Sequence, residues 1–185
     1  MKKVILIAIC LLVIVSFINA QGKLLTKNGH ISFFSHTPME DIKGDNNQVA
    51  SVLDSQTGEI IFTALMKSFK FERALMEEHF NENYLESDKF PKASYKGKIT
   101  NLTSVDFTKN GVYNVEIEGQ LTMHGATNNL NVKGTLEVKD GNAKAKAKFL
   151  LPIKDYKIEI PAVVKEKIQD NMEVTVDMDY APMKK

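Results

Sequence analysis

Over residues 112–123, Tyr113, Val115, Ile117, Gly119, Leu121 and Met123 alternate with Asn114, Glu116, Glu118, Gln120 and Thr122. Successive side chains of a strand point to opposite faces, so this run specifies a strand with one buried and one wet face. The pattern recurs three times. Leu130, Val132, Gly134, Leu136 and Val138 alternate with Asn129, Asn131, Lys133, Thr135 and Glu137. Asp140-Gly141 then supplies a tight hairpin into Ala143, Ala145, Ala147 and Phe149, which alternate with Lys144, Lys146 and Lys148. Met172, Val174, Val176, Met178 and Tyr180 repeat the alternation against Glu173, Thr175, Asp177 and Asp179. Consecutive strands of this one-sided kind form a meandering antiparallel sheet.

Residues 29–35, 48–54, 58–64 and 93–102 are further strand candidates, with Ser55-Gln56-Thr57-Gly58 as the turn joining two of them. Residues 69–84 differ: Phe71, Leu75, His79 with Phe80, and Tyr84 recur at helical spacing, and Glu72, Arg73, Glu77, Glu78 and Glu82 occupy the polar side. A shorter helix is predicted over residues 162–169, opened by Pro161 where proline is tolerated. No repeat, linker or low-complexity tract divides the chain, so residues 21–185 read as one domain. Eight such strands close as a sandwich or as an up-and-down barrel. Gly119 and Gly134, at inward positions in strand interiors, favour the barrel, because glycine there marks a bend or a close approach. The expected fold is therefore mainly all-β: an eight-stranded antiparallel up-and-down barrel with one amphipathic helix and one short helix inserted.

Three successive inward alanines, Ala143, Ala145 and Ala147, demand an explanation. Exchanging a Leu-sized side chain for Ala in a packed core costs ~2–5 kcal/mol if the void stays empty. Three such voids would rival the roughly 5–15 kcal/mol stability of a whole domain. The space must be filled, either by large side chains such as Phe33, Phe62, Phe71, Tyr113 and Phe149, or by a ligand in a lumen. An eight-stranded barrel lies on the margin between the two, so strand number does not decide. Inward residues of the four clearest strands are apolar or glycine, with Tyr113 and Tyr180 as the only polar handles. Such a lumen suits a long, neutral, apolar chain and offers little to a sugar or a nucleotide.

The first twenty residues stand apart. Lys2 and Lys3 precede an unbroken apolar run over residues 4–15 that contains Cys10, and small residues lead to a cleavage point after Ala20. That is the pattern of a secretory signal peptide, and the run is shorter than the ~20 residues needed to span a bilayer. The mature chain is thus expected without an integral membrane segment, in the periplasm or secreted. Of 24 basic and 23 acidic residues, Lys2 and Lys3 leave with the leader, so 22 face 23 and the net charge is about −1. Neither nucleic acid nor an anionic membrane surface is indicated as a partner. The single cysteine also leaves, so the mature chain is stabilised by burial without disulfides.

Catalytic patterns are absent from the sequence. His30, His36, His79 and His124 are scattered without metal spacing, and no cysteine ligand accompanies them. Ser35-His36 beside Glu40-Asp41 hints at a nucleophile and base, but adjacency in sequence is not catalytic geometry. No Gly-rich phosphate loop, nucleophile elbow or His-Glu-x-x-His motif occurs. Glu77, Glu78 and Glu82 read as a solvated helix face, and Lys144, Lys146 and Lys148 as an outer row promoting solubility. No metal or cofactor is expected. Asn101-Leu102-Thr103 is a glycosylation sequon that matters only in a eukaryotic source.

"LTMHGATNNLNVKGTL", residues 121–136, resembles the LT-x-HG-x-T stretch of the YceI-like proteins, secreted bacterial proteins built on a lipocalin-like antiparallel barrel. "ERALMEEHFNENYLESDKFPKASYKGKI", residues 72–99, is similar to that family's helical insert, with Glu78-His79 and Phe90-Pro91 in matching places. The resemblance extends over residues 23–181. It departs from the family at "FFSHTPMEDIKGDNNQVAS", where Gly44 lacks the phenylalanine of the family's G-x-F segment. What the resemblance implies is binding of polyisoprenoid or other long-chain lipid in the barrel, and not catalysis.

The functional expectation combines both lines. A long-chain isoprenoid or other lipid would lie along Phe33, Phe71, Tyr113, Val115, Ile117, Ala143, Ala145, Ala147 and Phe149, with its head group near His79 or His124. It would be transported, stored or sequestered outside the cytoplasm, and a homodimer is admitted as a further partner state. The alternative is a ligand-free structural or stress-response protein acting through its surface. A hydrolase using His36 or His124 is the weakest candidate.

Overall fold

A computed structural model describes residues 22–183. The expected leader, with Cys10, lies outside these residues. Eight strands follow one another: β1 Lys23–His36, β2 Asp41–Asp54, β3 Glu59–Leu65, β4 Lys92–Ile99, β5 Gly111–Met123, β6 Ala126–Lys139, β7 Asn142–Pro152 and β8 Asn171–Pro182. Each pairs antiparallel with the next, and β1 pairs with β8, so the sheet closes into a barrel. Closure leaves no sheet edge, which removes the aggregation hazard that open antiparallel sheets carry.

The turns follow from residues able to take positive φ. Asp140 and Gly141 have φ of 51° and 80°, and His124 and Gly125 have 49° and 71°, the left-handed pairs that match the twist of a two-residue hairpin. Register shifts in β1 between Thr26 and Ile31 bend that strand where it turns from β2 toward β8. The outer faces are charged. Lys144 reaches Asp177 at 3.1 Å and Asp179 at 3.2 Å, and Lys148 reaches Glu173 at 2.7 Å, so the lysine row of β7 is answered by an acidic row on β8. A transmembrane barrel would carry an apolar band there instead. Among the described residues no helix is long and apolar enough to cross a membrane.

Two long connections sit at one end of the barrel, between β3 and β4 and between β7 and β8. The helix predicted over residues 69–84 is shorter than its periodicity implies. Lys70 and Asp45 exchange backbone hydrogen bonds at 2.8 and 2.9 Å, which holds the chain extended against β2 until the α-helix α1 begins at Ala74. α1 (Ala74–His79) then widens into a π-turn over Phe80–Tyr84, closed by the Leu85 N–H donating to the Phe80 carbonyl at 2.9 Å. The second predicted helix is a 3-10 segment, Ala162–Lys167. The opposite end of the barrel is packed by Leu102, Val105 and Phe107 from the β4–β5 connection.

Candidate functional site: an apolar cavity at the helix end of the barrel

The barrel is solid in one half and hollow in the other. The hollow half is a cavity of about 430 Å³. An apolar cavity of ~150 Å³ already stays dry and admits a benzene, so this one is large enough for a much longer apolar guest. Its strand walls include Ile31, Phe62, Ala64, Ala93, Leu121, Leu130, Leu151 and Val174. The two long connections form lids: Phe80, Tyr84 and Leu85 on one side, and Ile153, Ile158, Ile160 and Val164 on the other. Phe80 is the centre of an aromatic group, with ring centroids 5.5 Å from Phe33, 5.5 Å from Phe69 and 5.0 Å from Phe71. Offset and tilted rings at these spacings pack favourably and stiffen the wall.

Glycine makes that wall possible. A Cβ on Gly44 would stand 2.5 Å from the Phe33 ring and 3.1 Å from the Phe71 ring, so the missing side chain of Gly44 is the space Phe33 occupies. This is the place where the sequence departs from the G-x-F pattern, and here the aromatic ring arrives from β1.

Charged groups stand only at the lip. Glu40 and Arg73 form an ion pair there, the second Arg73 contact being Met76 Sδ at 3.4 Å, and His79 and Lys167 complete the rim. Tyr84 lies in the wall, and burial raises the pKa of its hydroxyl, which keeps it a neutral hydrogen-bonding group. Nothing charged reaches the interior. Among the described residues no group of three His, Cys, Asp or Glu side chains could hold a metal ion. Ser35 Oγ accepts the Gln169 N–H at 2.9 Å while His36 pairs with Asp41 at 2.5 Å, so Ser35 and His36 do not address each other.

Of the residues singled out in the sequence, Phe33, Phe71, Phe149 and His79 line the cavity. Tyr113, Val115, Ile117, Ala143, Ala145, Ala147 and His124 do not. The reason is the layer between them. Tyr95 and Met178 fill the barrel at mid-height, only 4% and 2% exposed. Ala143, Ala145 and Ala147 stand opposite Tyr180, Met178 and Val176 on β8, so small side chains on β7 make room for large ones beside them. Tyr113 belongs to the packed end, where its hydroxyl donates to the Lys109 carbonyl at 3.2 Å. His124 lies between the lids, with Nε2 3.0 Å from Glu86 Oε2 and Nδ1 2.9 Å from the Tyr156 carbonyl oxygen.

The small residues that do border the cavity are Ala64 and Ala93, paired across β3 and β4. Sequence reasoning passed over them because their strands alternate weakly. A signal was present nonetheless: each ends its predicted strand next to the helical insert, where a mouth would lie.

A model of the YceI-like domain matches residues 23–180. The chain belongs to the YceI-like family. Solved YceI-like folds align with it at low identity. A polyisoprenoid-binding domain from Saccharophagus degradans, implicated in plant cell wall breakdown, superposes with a TM-score of 0.76 at 13% identity, over 87% of this chain and 99% of that one. BcnA of Burkholderia cenocepacia gives 0.63 at 10% identity, over 83% and 96%. The Campylobacter jejuni YceI protein gives 0.60 at 15% identity, over 81% and 90%. No curated protein matches the sequence significantly. At these identities the solved structures establish the shared YceI-like barrel and nothing finer.

Proposed function

We propose that this YceI-like protein binds a long-chain apolar lipid, polyisoprenoid or fatty-acid-like, in the upper half of its barrel. The observation that carries this is the 430 Å³ cavity whose walls are apolar but for the Tyr84 hydroxyl and whose charged groups stand only at the rim. Such a container gains ~25 cal/mol per Å² of apolar surface removed from water and has nothing inside to desolvate. The tail would lie between the two lids, and the polar end would meet Arg73, Glu40 and His79 at the lip. His79 is better placed for this than His124, whose ring nitrogens already face Glu86 and Tyr156. Binding rather than catalysis fits a cavity whose lining is apolar apart from Tyr84 in the wall and Glu40, Arg73, His79 and Lys167 at the rim.

The apolar run of residues 4–15 behind Lys2 and Lys3 supports a cleaved leader and a place outside the cytoplasm, where the protein would transport, store or sequester its lipid. Native mass spectrometry of protein extracted under mild conditions tests the central claim. A mass increment released by organic solvent and identified as an apolar lipid is expected. Repeated recovery of the bare polypeptide would favour a protein that acts through its surface.

A further inference from the structure

Among the described residues two lysines are partly buried, Lys144 and Lys167; every other described lysine is exposed. Lys144 is answered on the outer face by Asp177 and Asp179. Lys167 forms no ion pair and no side-chain hydrogen bond with any described residue. Its place follows from the local fold. Lys167 ends the 3-10 segment Ala162–Lys167, and side chains three residues apart in such a helix share one face. Val164 and Lys167 are such a pair, and both border the apolar cavity, as does Ile168, whereas Lys165 and Glu166 are exposed and do not border it. A lysine stem can cover apolar wall in this way while its ammonium group stays at the lip.

The acids of the adjoining segments are engaged elsewhere, Glu40 with Arg73 and Asp170 with Lys154 at 2.9 Å. Of Glu40, Arg73 and Lys167 at the rim, the first two cancel, so one positive charge is left over beside an apolar opening. A charge drawn partly out of water without a partner is costly, and an anion brought by a ligand relieves that cost.

We propose that Lys167 is the receptor for an anionic head group, a carboxylate or a phosphate, on the lipid whose tail fills the cavity. The proposal rests on the lipid-binding function above and narrows it, from apolar chains at large to chains that end in an anion. A hydrogen bond from an ammonium group to an ionised oxygen is roughly twice as strong as a neutral one, so an alcohol of the same chain is held less tightly. The apolar wall supplies affinity for the tail and cannot choose between heads; Lys167 makes that choice.

Two matched pairs of ligands test it: decanoic acid with 1-decanol, and geranyl phosphate with geraniol. Each is titrated at about pH 8, where both acids are ionised, into lipid-free protein carrying the neutral fluorescent probe N-phenyl-1-naphthylamine, whose displacement reports binding. Wild type should hold at least one acid about tenfold more tightly than its alcohol. In Lys167→Met that acid falls to the alcohol's level or below, and Lys167→Arg keeps the preference. Preference in the first pair alone identifies a carboxylate head, in the second alone a phosphate head, and in both a site that accepts either. Should Lys167→Met lack the wild-type circular dichroism spectrum, Lys167→Gln takes its place. Equal affinity for acid and alcohol in wild type, or a preference that survives in the folded variant, overturns the head-group receptor and leaves lipid binding standing. Failure of all four ligands to bind overturns the lipid-binding function itself, and the receptor with it.

Discussion

His124 Nε2 lies 3.0 Å from Glu86 Oε2, and this contact joins two parts of the chain that the barrel itself does not connect. Glu86 belongs to the insert between β3 and β4, whereas His124 sits in the β5–β6 hairpin at φ 49°. The other ring nitrogen faces the Tyr156 carbonyl in the second lid at 2.9 Å, and Phe90 packs edge-on against the ring at 4.7 Å. One side chain thus fastens both lids to the same wall.

His124→Ala should therefore loosen the lids without opening the barrel. A stability loss of about 1 kcal/mol is expected, since one polar contact is buried and the other reaches a half-exposed carboxylate. The sharper readout is hydrogen exchange. Amides of residues 80–90 and 153–158 should exchange faster while those of β5 to β8 keep their protection.

Gly119→Ala tests the bare backbone under Tyr95. The new Cβ would stand 2.5 Å from the Lys96 carbonyl oxygen and 2.6 Å from the Gly97 Cα, and neither is a flexible side-chain end that can swing away. The variant should lose ~1–3 kcal/mol in a urea titration, the usual result of overpacking. Gly111→Ala is the control: its Cβ would meet only the tip of Tyr113, at 3.3 Å, and its midpoint should stay within about 0.5 kcal/mol of wild type.

Filling the hollow and overfilling the solid half should have opposite effects. Ala93→Phe places a ring in the cavity, so lipid affinity should fall at least tenfold while the denaturation midpoint hardly moves. Ala145→Phe places the same ring opposite Met178 and Leu136, which are almost fully buried, and should lose ~1–3 kcal/mol. Loss of lipid in Ala145→Phe without loss of stability would mean that the guest reaches into the packed half.

The barrel was legible in the sequence because alternation on β5 to β8 leaves each strand one buried face, and Gly119 and Gly134 marked where backbones or rings approach. The location of the hollow was not. Ala143, Ala145 and Ala147 advertise missing volume, but volume is returned by whichever neighbour is large, and register decides that neighbour. Register places Tyr180 and Met178 beside them, while Tyr95, whose ring covers the bare backbone of Gly97 and Gly119, reads locally as one more inward aromatic residue. The short α1 was obscured for a related reason: Phe71 keeps helical spacing with Leu75, yet the backbone bridge from Lys70 to Asp45 overrides it.

The packed end should reveal itself in alkali. Tyr180 is buried, its hydroxyl lies 2.7 Å from Ser51 Oγ, and Ser51 in turn donates to the Ile61 carbonyl at 3.0 Å, which leaves Tyr180 as the donor in their shared bond. Burial pushes the Tyr180 phenol up from 10 to about 12. A pKa raised on folding means stability that is complete below the unfolded value and lost as pH rises toward the folded one. Wild-type protein should hold its stability up to pH 10 and then lose, through this residue, on the order of 2 kcal/mol by pH 12. Tyr180→Phe gives up the hydrogen bond, so it starts about 1 kcal/mol lower at neutral pH. It has no phenol to ionise at that position, and the gap to wild type should narrow and then reverse between pH 10 and 12. Urea midpoints of both proteins across that range measure the crossing; curves that stay parallel would show that Tyr180 ionises without opposing the fold.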